Sequence, residues 1–102
     1  MIHICICDDS DAMRDELCGL IQALCQKHSI AASVSCCSSG EELLFDPDDK
    51  NRTTDIFFLD ILMKKLNGIE TAAKLRAINP TAQIIFLTVS KEHVFEALDV
   101  MP

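Results

Sequence analysis

Apolar and polar positions alternate in blocks along the chain, and each block predicts a strand or a helix. Residues 2–7, IHICIC, are largely uncharged on both faces, as expected of an internal strand in a parallel sheet. After Asp8, apolar residues recur about every 3.6 positions, which predicts a helix that Ser10 or Asp11 caps and that runs to about His28. The chain therefore opens with a strand followed by a helix.

The next segment repeats this pattern on a smaller scale. Residues 30–37 are a run of small residues that predicts a second strand. Ser39 and Glu42 have the spacing of a capping box and predict the start of a short helix. Residues 46–54, DPDDKNRTT, are turn formers and charged side chains, so we expect a solvated loop there.

Two more pairs of strand and helix follow. Residues 55–60, DIFFLD, predict a third strand that ends in a carboxylate, and a helical pattern that opens at Gly68 ends near Pro80. Residues 83–88 predict a fourth strand, and residues 91–99 predict a fourth helix. Strict alternation of strands and helices predicts an α/β fold with a parallel sheet covered by helices on both faces.

Length and charge narrow the possible functions. The 102 residues fit one domain, and the formal net charge is −7. This charge gives no attraction for phosphate backbones or anionic lipid, so we expect no direct nucleic-acid binding and no membrane association. Because no apolar run approaches a membrane span and the start lacks a secretory signal, we expect a cytoplasmic protein.

The chain holds six cysteines but no C-x-x-C motif and no paired cysteine-histidine spacing. Cys5 and Cys7 fall in the first strand, and Cys18 and Cys25 fall on the first helix, so we expect buried reduced thiols rather than disulfides or a metal site. We also expect nearby carboxylates to raise the pKa of Cys7.

Acidic side chains follow two of the predicted strands. Asp8 and Asp9 end the first strand, and Asp60 ends the third, so the three carboxylates converge if those strands are neighbours. Such a cluster suits Mg²⁺, and an aspartate beside that ion can attack a phosphoryl group. Asp60 is the candidate nucleophile, and the Thr88 hydroxyl, at the end of the fourth strand, could hydrogen-bond a phosphoryl oxygen.

Several stretches of this sequence resemble one family, the receiver domains of bacterial two-component response regulators. In particular it resembles the LytTR class, whose members carry a DNA-binding output domain downstream. The matching stretches are ICDDS at 6–10, SGEELL at 39–44, DIFFLDILM at 55–63, NGIETAAKLR at 67–76 and QIIFLT at 83–88. The resemblance implies a flavodoxin-like (CheY-like) three-layer sandwich with strand order 2-1-3-4. Residues 1–102 would then be a receiver domain truncated before the last β-α unit.

The resemblance also implies roles for individual residues. Asp60 would accept a phosphoryl group from a sensor histidine kinase, and the domain would catalyse only its own modification and its slow reversal. Asp9 would ligate Mg²⁺ directly, Asp8 through a water, and Leu62 through its backbone carbonyl. Thr88 would be the hydroxyl that moves toward the phosphoryl group and carries the signal to the control of transcription.

The sequence departs from the family pattern in two places. Lys64 and Lys65 stand where receivers usually have a proline, and they are either surface charge, an offset to the acid cluster or a contact for the kinase. The fifth strand, with its phosphoryl-binding lysine, is missing. We therefore expect the protein to form homo-oligomers, such as a dimer, through the edge of the fourth strand or through the fourth helix.

Two other functions compete with the phosphoacceptor. One is an interaction fragment that is inert to phosphate and self-associates through its sheet edge. The other is a phosphatase with an aspartate nucleophile, but such enzymes resemble a D-x-D pattern, and Leu62 occupies the position of the second acid.

Overall fold

A parallel sheet of four strands organises residues 1–87, the part of the chain that the computed structural model describes. The strands are β1 (Ile2–Cys7), β2 (Ala32–Cys37), β3 (Ile56–Leu59) and β4 (Gln83–Phe86), and the helices are α1 (Asp11–Lys27), α2 (Gly40–Leu44) and α3 (Gly68–Ile78). The strand order is β2-β1-β3-β4, which confirms the predicted α/β fold and its order. Thr88 and the helix predicted over 91–99 lie outside the described residues.

The sheet separates two apolar layers, which confirms the three-layer sandwich. On one face, α2 and α3 cover a cluster that includes Leu43, Phe57 and Leu75. On the other face, α1 covers a smaller cluster in which Ile21 packs against Ile6. β1 lies at the centre and pairs with both β2 and β3, as its uncharged sequence predicts.

The register of β1 and β3 positions the acidic residues. Cys7 lies opposite Leu59, so the residues that follow these two strands leave the sheet side by side. The Asp60 amide continues the ladder by donating to the Cys7 carbonyl oxygen at 2.9 Å, and the Asp8 amide donates to the Cys37 carbonyl oxygen at 3.2 Å. Asp8 and Asp60 therefore begin their loops from the same edge of the sheet.

Side-chain caps fix where the first two helices begin. The Ser10 hydroxyl accepts a hydrogen bond from the Met13 amide at 3.3 Å, so Ser10 is the cap of α1. The Ser39 hydroxyl accepts from the Glu42 amide at 3.0 Å, as the predicted capping box requires. The return contact differs from the prediction, because the Glu42 carboxylate accepts from the Ser38 amide and hydroxyl instead of from the Ser39 amide.

The segment 46–54 is mostly exposed, as the predicted solvated loop requires, but it is more ordered than its sequence indicates. The segment contains a 3₁₀ helix (Lys50–Thr53), and the Asn51 side chain is buried. Asn51 donates to the Leu43 carbonyl oxygen at 2.8 Å, and the Asp46 carboxylate accepts from the Asn51 amide at 2.7 Å. A second buried amide, Asn79, donates to the Asn51 carbonyl oxygen at 2.8 Å and so connects this segment to the end of α3.

All six cysteines are free thiols, and Cys5 and Cys7 are buried, as predicted, whereas Cys18 and Cys25 on α1 are only partly buried because they lie at the margin of its packed face. Among residues 1–87, the structure has no helix that is both long and apolar enough to cross a membrane.

Candidate functional site

Three carboxylates meet at the carboxyl edge of the sheet. Asp8, Asp9 and Asp60 each offer an oxygen, and these atoms all lie within 4.8 Å of one another. Asp8 and Asp60 are buried, whereas Asp9 is exposed, so the cluster opens to solvent on one side. The predicted convergence of the three acids is confirmed, and its cause is the register that pairs the end of β1 with the end of β3.

Backbone amides orient two of these carboxylates. Asp8 Oδ1 accepts from the Ser10 amide at 2.8 Å, and Asp60 Oδ1 accepts from the Leu62 amide at 3.1 Å. Each contact spans two residues and arises from the turn that follows the strand. One oxygen of each carboxylate is thereby fixed against its own loop.

The cluster is electrostatically strained. Burial raises the pKa of Asp8, and the nearby charges of Asp60 and Asp9 raise it further, against the lowering effect of the Ser10 amide. The ionised cluster is therefore unfavourable without a counter-charge. A divalent cation supplies that counter-charge, and closely spaced carboxylate oxygens open to water on one side are the donors that Mg²⁺ prefers. The residues present fit such an ion.

Close packing positions Asp60 against α3. A Cβ atom at Gly68 would lie 2.3 Å from the Asp60 carbonyl oxygen and 2.8 Å from the Cα atom of Ile61. The Gly68 amide donates to the Ile61 carbonyl oxygen at 3.0 Å. A capping box between Asn67 and Glu70 then starts the helix at this point. Gly68 thus allows the first turn of α3 to lie directly against the backbone of Asp60.

Sequence reasoning missed a basic residue that contacts the loop after β1. Arg14, in the first turns of α1, donates from Nη1 to the Asp8 carbonyl oxygen at 2.9 Å and pairs with the Asp11 carboxylate. The contact holds the backbone beside two of the three acids. No sequence motif announces it, since the guanidinium group reaches back along the helix to a carbonyl group that any residue would provide.

The remaining predicted residues lie around the cluster. Leu62 is exposed on the loop after Asp60. Lys64 and Lys65 are exposed on the same loop. Thr88 is outside the described residues, although the Leu87 amide donates to the Leu59 carbonyl oxygen at 2.9 Å and so brings the chain to this edge of the sheet.

A cleft of about 300 Å³ adjoins the acid cluster. It is lined by Asp9, Ser38, Ser39, Glu41, Met63, Lys64 and Lys65. The loops after β1, β2 and β3 all contribute to its walls, so it lies at the same edge of the sheet as the three carboxylates.

Nearly the whole chain is similar to known proteins. A family model for the response regulator receiver domain matches residues 4–101. An uncharacterized response regulatory protein of Yersinia pestis is 30% identical over 97% of this chain and 39% of its own length. The sensory transduction protein LytT of Enterococcus faecalis is 27% identical over 97% of this chain and 38% of its own length. The chain thus spans about two fifths of these relatives.

The fold is also similar to that of solved structures. A CheX–CheY complex from Borrelia burgdorferi, described with BeF3 and Mg²⁺, matches with a TM-score of 0.77 at 21% identity. The match covers 97% of this chain and 72% of that chain. It shows the same arrangement of strands and helices.

Proposed function

The chain belongs to the response regulator receiver domain family, and from this premise we propose that it accepts a phosphoryl group on Asp60 from a sensor histidine kinase. Receiver domains work in two-component signalling and are not enzymes that turn over a separate substrate. The observation that carries the proposal is the meeting of Asp8, Asp9 and Asp60 at one edge of the sheet. Three carboxylates at one place repel one another and destabilise the fold, and a positively charged ligand would offset this cost.

Four groups would hold Mg²⁺ in this proposal: the carboxylates of Asp60 and Asp9, the Asp8 carboxylate through a water, and the Leu62 carbonyl oxygen. The ion, when bound, would neutralise charge on the transferring phosphoryl oxygens. The Mg²⁺ named in the Borrelia burgdorferi complex supports this assignment.

The chain's own residues divide the work of the transfer. The Leu62 amide holds one oxygen of Asp60, which leaves the other oxygen to attack phosphorus. The bond between phosphorus and the kinase histidine nitrogen breaks, and the nitrogen keeps the electron pair. The Thr88 hydroxyl would then donate a hydrogen bond to a phosphoryl oxygen and start the conformational response.

The readout of phosphorylation would lie outside this chain. The Enterococcus faecalis relative is a sensory transduction protein, and this chain spans 38% of it. We therefore propose a LytTR-class regulator in which this domain controls a DNA-binding output domain. The net charge of −7 gives the domain itself no attraction for DNA.

Phosphorylation can be tested directly on the chain. Incubation with Mg²⁺ and acetyl phosphate should add the mass of one phosphoryl group, and Asp60→Asn should abolish the adduct. Asp55→Asn is the matched control, because Asp55 precedes β3 at the opposite edge of the sheet, where its carboxylate accepts from the His3 amide at 2.8 Å. A folded parent chain that gains no adduct would overturn the proposal, and sustained release of phosphate from unrelated esters would indicate a phosphatase.

A second proposal is that the chain self-associates through the exposed edge of β4. Self-association is the activity expected of the alternative function, an interaction fragment that is inert to phosphate. Within residues 1–87, β4 pairs only with β3, and the Ile85 side chain on β4 is 43% exposed. An unpaired strand edge beside an apolar side chain favours contact with a second copy. The fourth helix, the other predicted contact, lies outside the described residues. Phosphorylation of Asp60 and self-association through β4 are compatible, and a chain that is phosphorylated and also self-associates would support both proposals.

A further inference from the structure

The cleft beside the acid cluster is lined by both acidic and basic side chains. The proposed phosphotransfer gives the basic side chains no role. Asp9 belongs both to the cleft and to the acid cluster. Lys64 and Lys65 line the same cleft, so two ammonium groups share one concave surface with a side chain of the phosphoacceptor site. Asp60 does not line the cleft itself, but Asp9 joins the cleft to the cluster of acids that contains Asp60.

The other polar groups of the cleft are already engaged. One Glu41 oxygen accepts from the Leu66 amide at 2.9 Å, and the Ser39 hydroxyl caps α2. The Ser38 hydroxyl donates to the Glu42 carboxylate at 2.6 Å. By contrast, the ion pairs among residues 1–87 are Arg14 with Asp11 and Arg52 with Asp49, and neither involves a cleft lysine. The two ammonium groups are thus the polar groups of the cleft still available to an anion.

The loop that carries the lysines is held at several points. Gly68, which follows this loop, packs on the backbone of Asp60, which precedes it. Gly40 of α2 packs against it as well, since a Cβ atom there would lie 3.1 Å from the Leu66 carbonyl oxygen. Lys65 itself has a φ of 56°, in the left-handed region that residues with a side chain rarely adopt. The backbone of this loop is thereby held beside the cleft.

We propose that Lys64 and Lys65 bind the departing oxygen of an acyl phosphate and make such molecules preferred small-molecule phosphodonors. The inference rests on the proposed phosphorylation of Asp60. In the step, an Asp60 oxygen forms a bond to phosphorus, the bond from phosphorus to the acyl oxygen breaks, and that oxygen leaves with the electron pair as a carboxylate. No proton is required. Negative charge grows on the departing oxygen, and nearby ammonium groups stabilise it.

A donor with a different leaving group provides the contrast. Phosphoramidate carries an –NH3⁺ group at neutral pH, and when its bond to phosphorus breaks the nitrogen keeps the electron pair and leaves as neutral ammonia, so no anion forms for the lysines to stabilise. The lysines should therefore speed transfer from acetyl phosphate and have little effect on transfer from phosphoramidate. The effect of the two lysines should therefore appear in the ratio of the transfer rate from acetyl phosphate to the transfer rate from phosphoramidate.

The test measures the rate of adduct formation by intact mass with each donor in Mg²⁺. The variants are Lys64→Gln, Lys65→Gln, the double variant, and Lys74→Gln on the exposed side of α3 as the matched control. We expect the double variant to lose roughly fivefold to tenfold in rate with acetyl phosphate and less than about twofold with phosphoramidate, the size expected of exposed charges. Lys65→Arg should keep the preference, and Lys74→Gln should match the parent.

Each other outcome overturns the inference. Equal losses with both donors would mean that the lysines act on the acid cluster or on folding, and unchanged rates with both would mean that they are surface charge. Because Lys65 has a left-handed backbone, Lys65→Gly removes its ammonium group without strain and should reproduce the effect of Lys65→Gln. A parent chain that takes no phosphoryl group from either donor would overturn the proposed function as well.

Discussion

Asp8 shows how a single side chain balances folding against function. Its pKa is raised by burial and by the charges of Asp60 and Asp9, so the folded state disfavours the ionised form relative to the unfolded chain. Stability from this residue is therefore full at low pH and is lost as pH rises through the raised pKa. At neutral pH the charged form destabilises the fold, a cost that the proposed cation would offset.

Replacement of Asp8 should separate these two effects. Asp8→Asn keeps an oxygen for the Ser10 amide and removes one charge from the cluster. In EDTA at pH 7 we expect the variant to be more stable than the parent by on the order of 1 kcal/mol, whereas added Mg²⁺ should stabilise the parent more than the variant. Thermal unfolding with and without Mg²⁺ measures both. A variant that is less stable than the parent in EDTA would contradict this account.

For Cys7, the sequence predicts the direction of the pKa shift correctly but not its main cause. The pKa of Cys7 is raised to about 12, as the sequence predicted. The largest cause is burial, followed by Cys37 and Glu42, and the carboxylates of Asp8 and Asp60 come after these. Adjacent charges can be read from the sequence, whereas full burial beneath α2 and α3 depends on packing between distant segments.

At the scale of elements, local patterns predicted nearly all of the strands and helices. Serine caps and apolar periodicity are local, so the starts of α1 and α2 could be read directly. The 3₁₀ helix (Lys50–Thr53) could not, because its turn formers also describe a solvated loop. Its order comes from hydrogen bonds such as that from Asn79 to the Asn51 carbonyl oxygen, which joins residues 28 positions apart.

The junction between β3 and α3 gives a prediction at this scale. A Cβ atom at Gly68 would meet backbone atoms of Asp60 and Ile61 at 2.3–2.8 Å, so Gly68→Ala must displace either the helix or the loop. We expect a loss of about 1–3 kcal/mol in the free energy of unfolding, measured in urea, together with slower phosphorylation.

Gly19 provides the matched control for this substitution. It lies within α1 and is exposed, and a Cβ atom there has no neighbour within 4 Å. Gly19→Ala should raise the free energy of unfolding by about 0.5–1 kcal/mol, because alanine favours a helix interior. Similar changes for the two variants would show that close packing at Gly68 is not what holds Asp60 in place.

At the scale of the whole molecule, the two faces of the sheet are covered unequally by the described residues. α2 and α3 pack on one face, whereas α1 packs on the other and leaves apolar side chains exposed along its length. Leu20 is 56% exposed and Leu24 is 47% exposed. Ile85 lies opposite Phe58 in the register and belongs to the same face. Leu20 also lines a pocket together with Leu87, the residue that follows β4, so exposed apolar side chains of α1 lie near the end of β4.

Contact between two copies would bury these apolar side chains, and a charge at their margin should prevent that contact. We expect the parent chain to sediment faster as its concentration rises, and we expect Ile85→Lys to remain monomeric, because a buried unpaired ammonium group is unfavourable. Ile30→Lys is the matched control, since Ile30 is also 43% exposed but lies beside β2, at the opposite side of the sheet. If the parent were monomeric throughout, or if Ile30→Lys acted equally, association through β4 would be wrong.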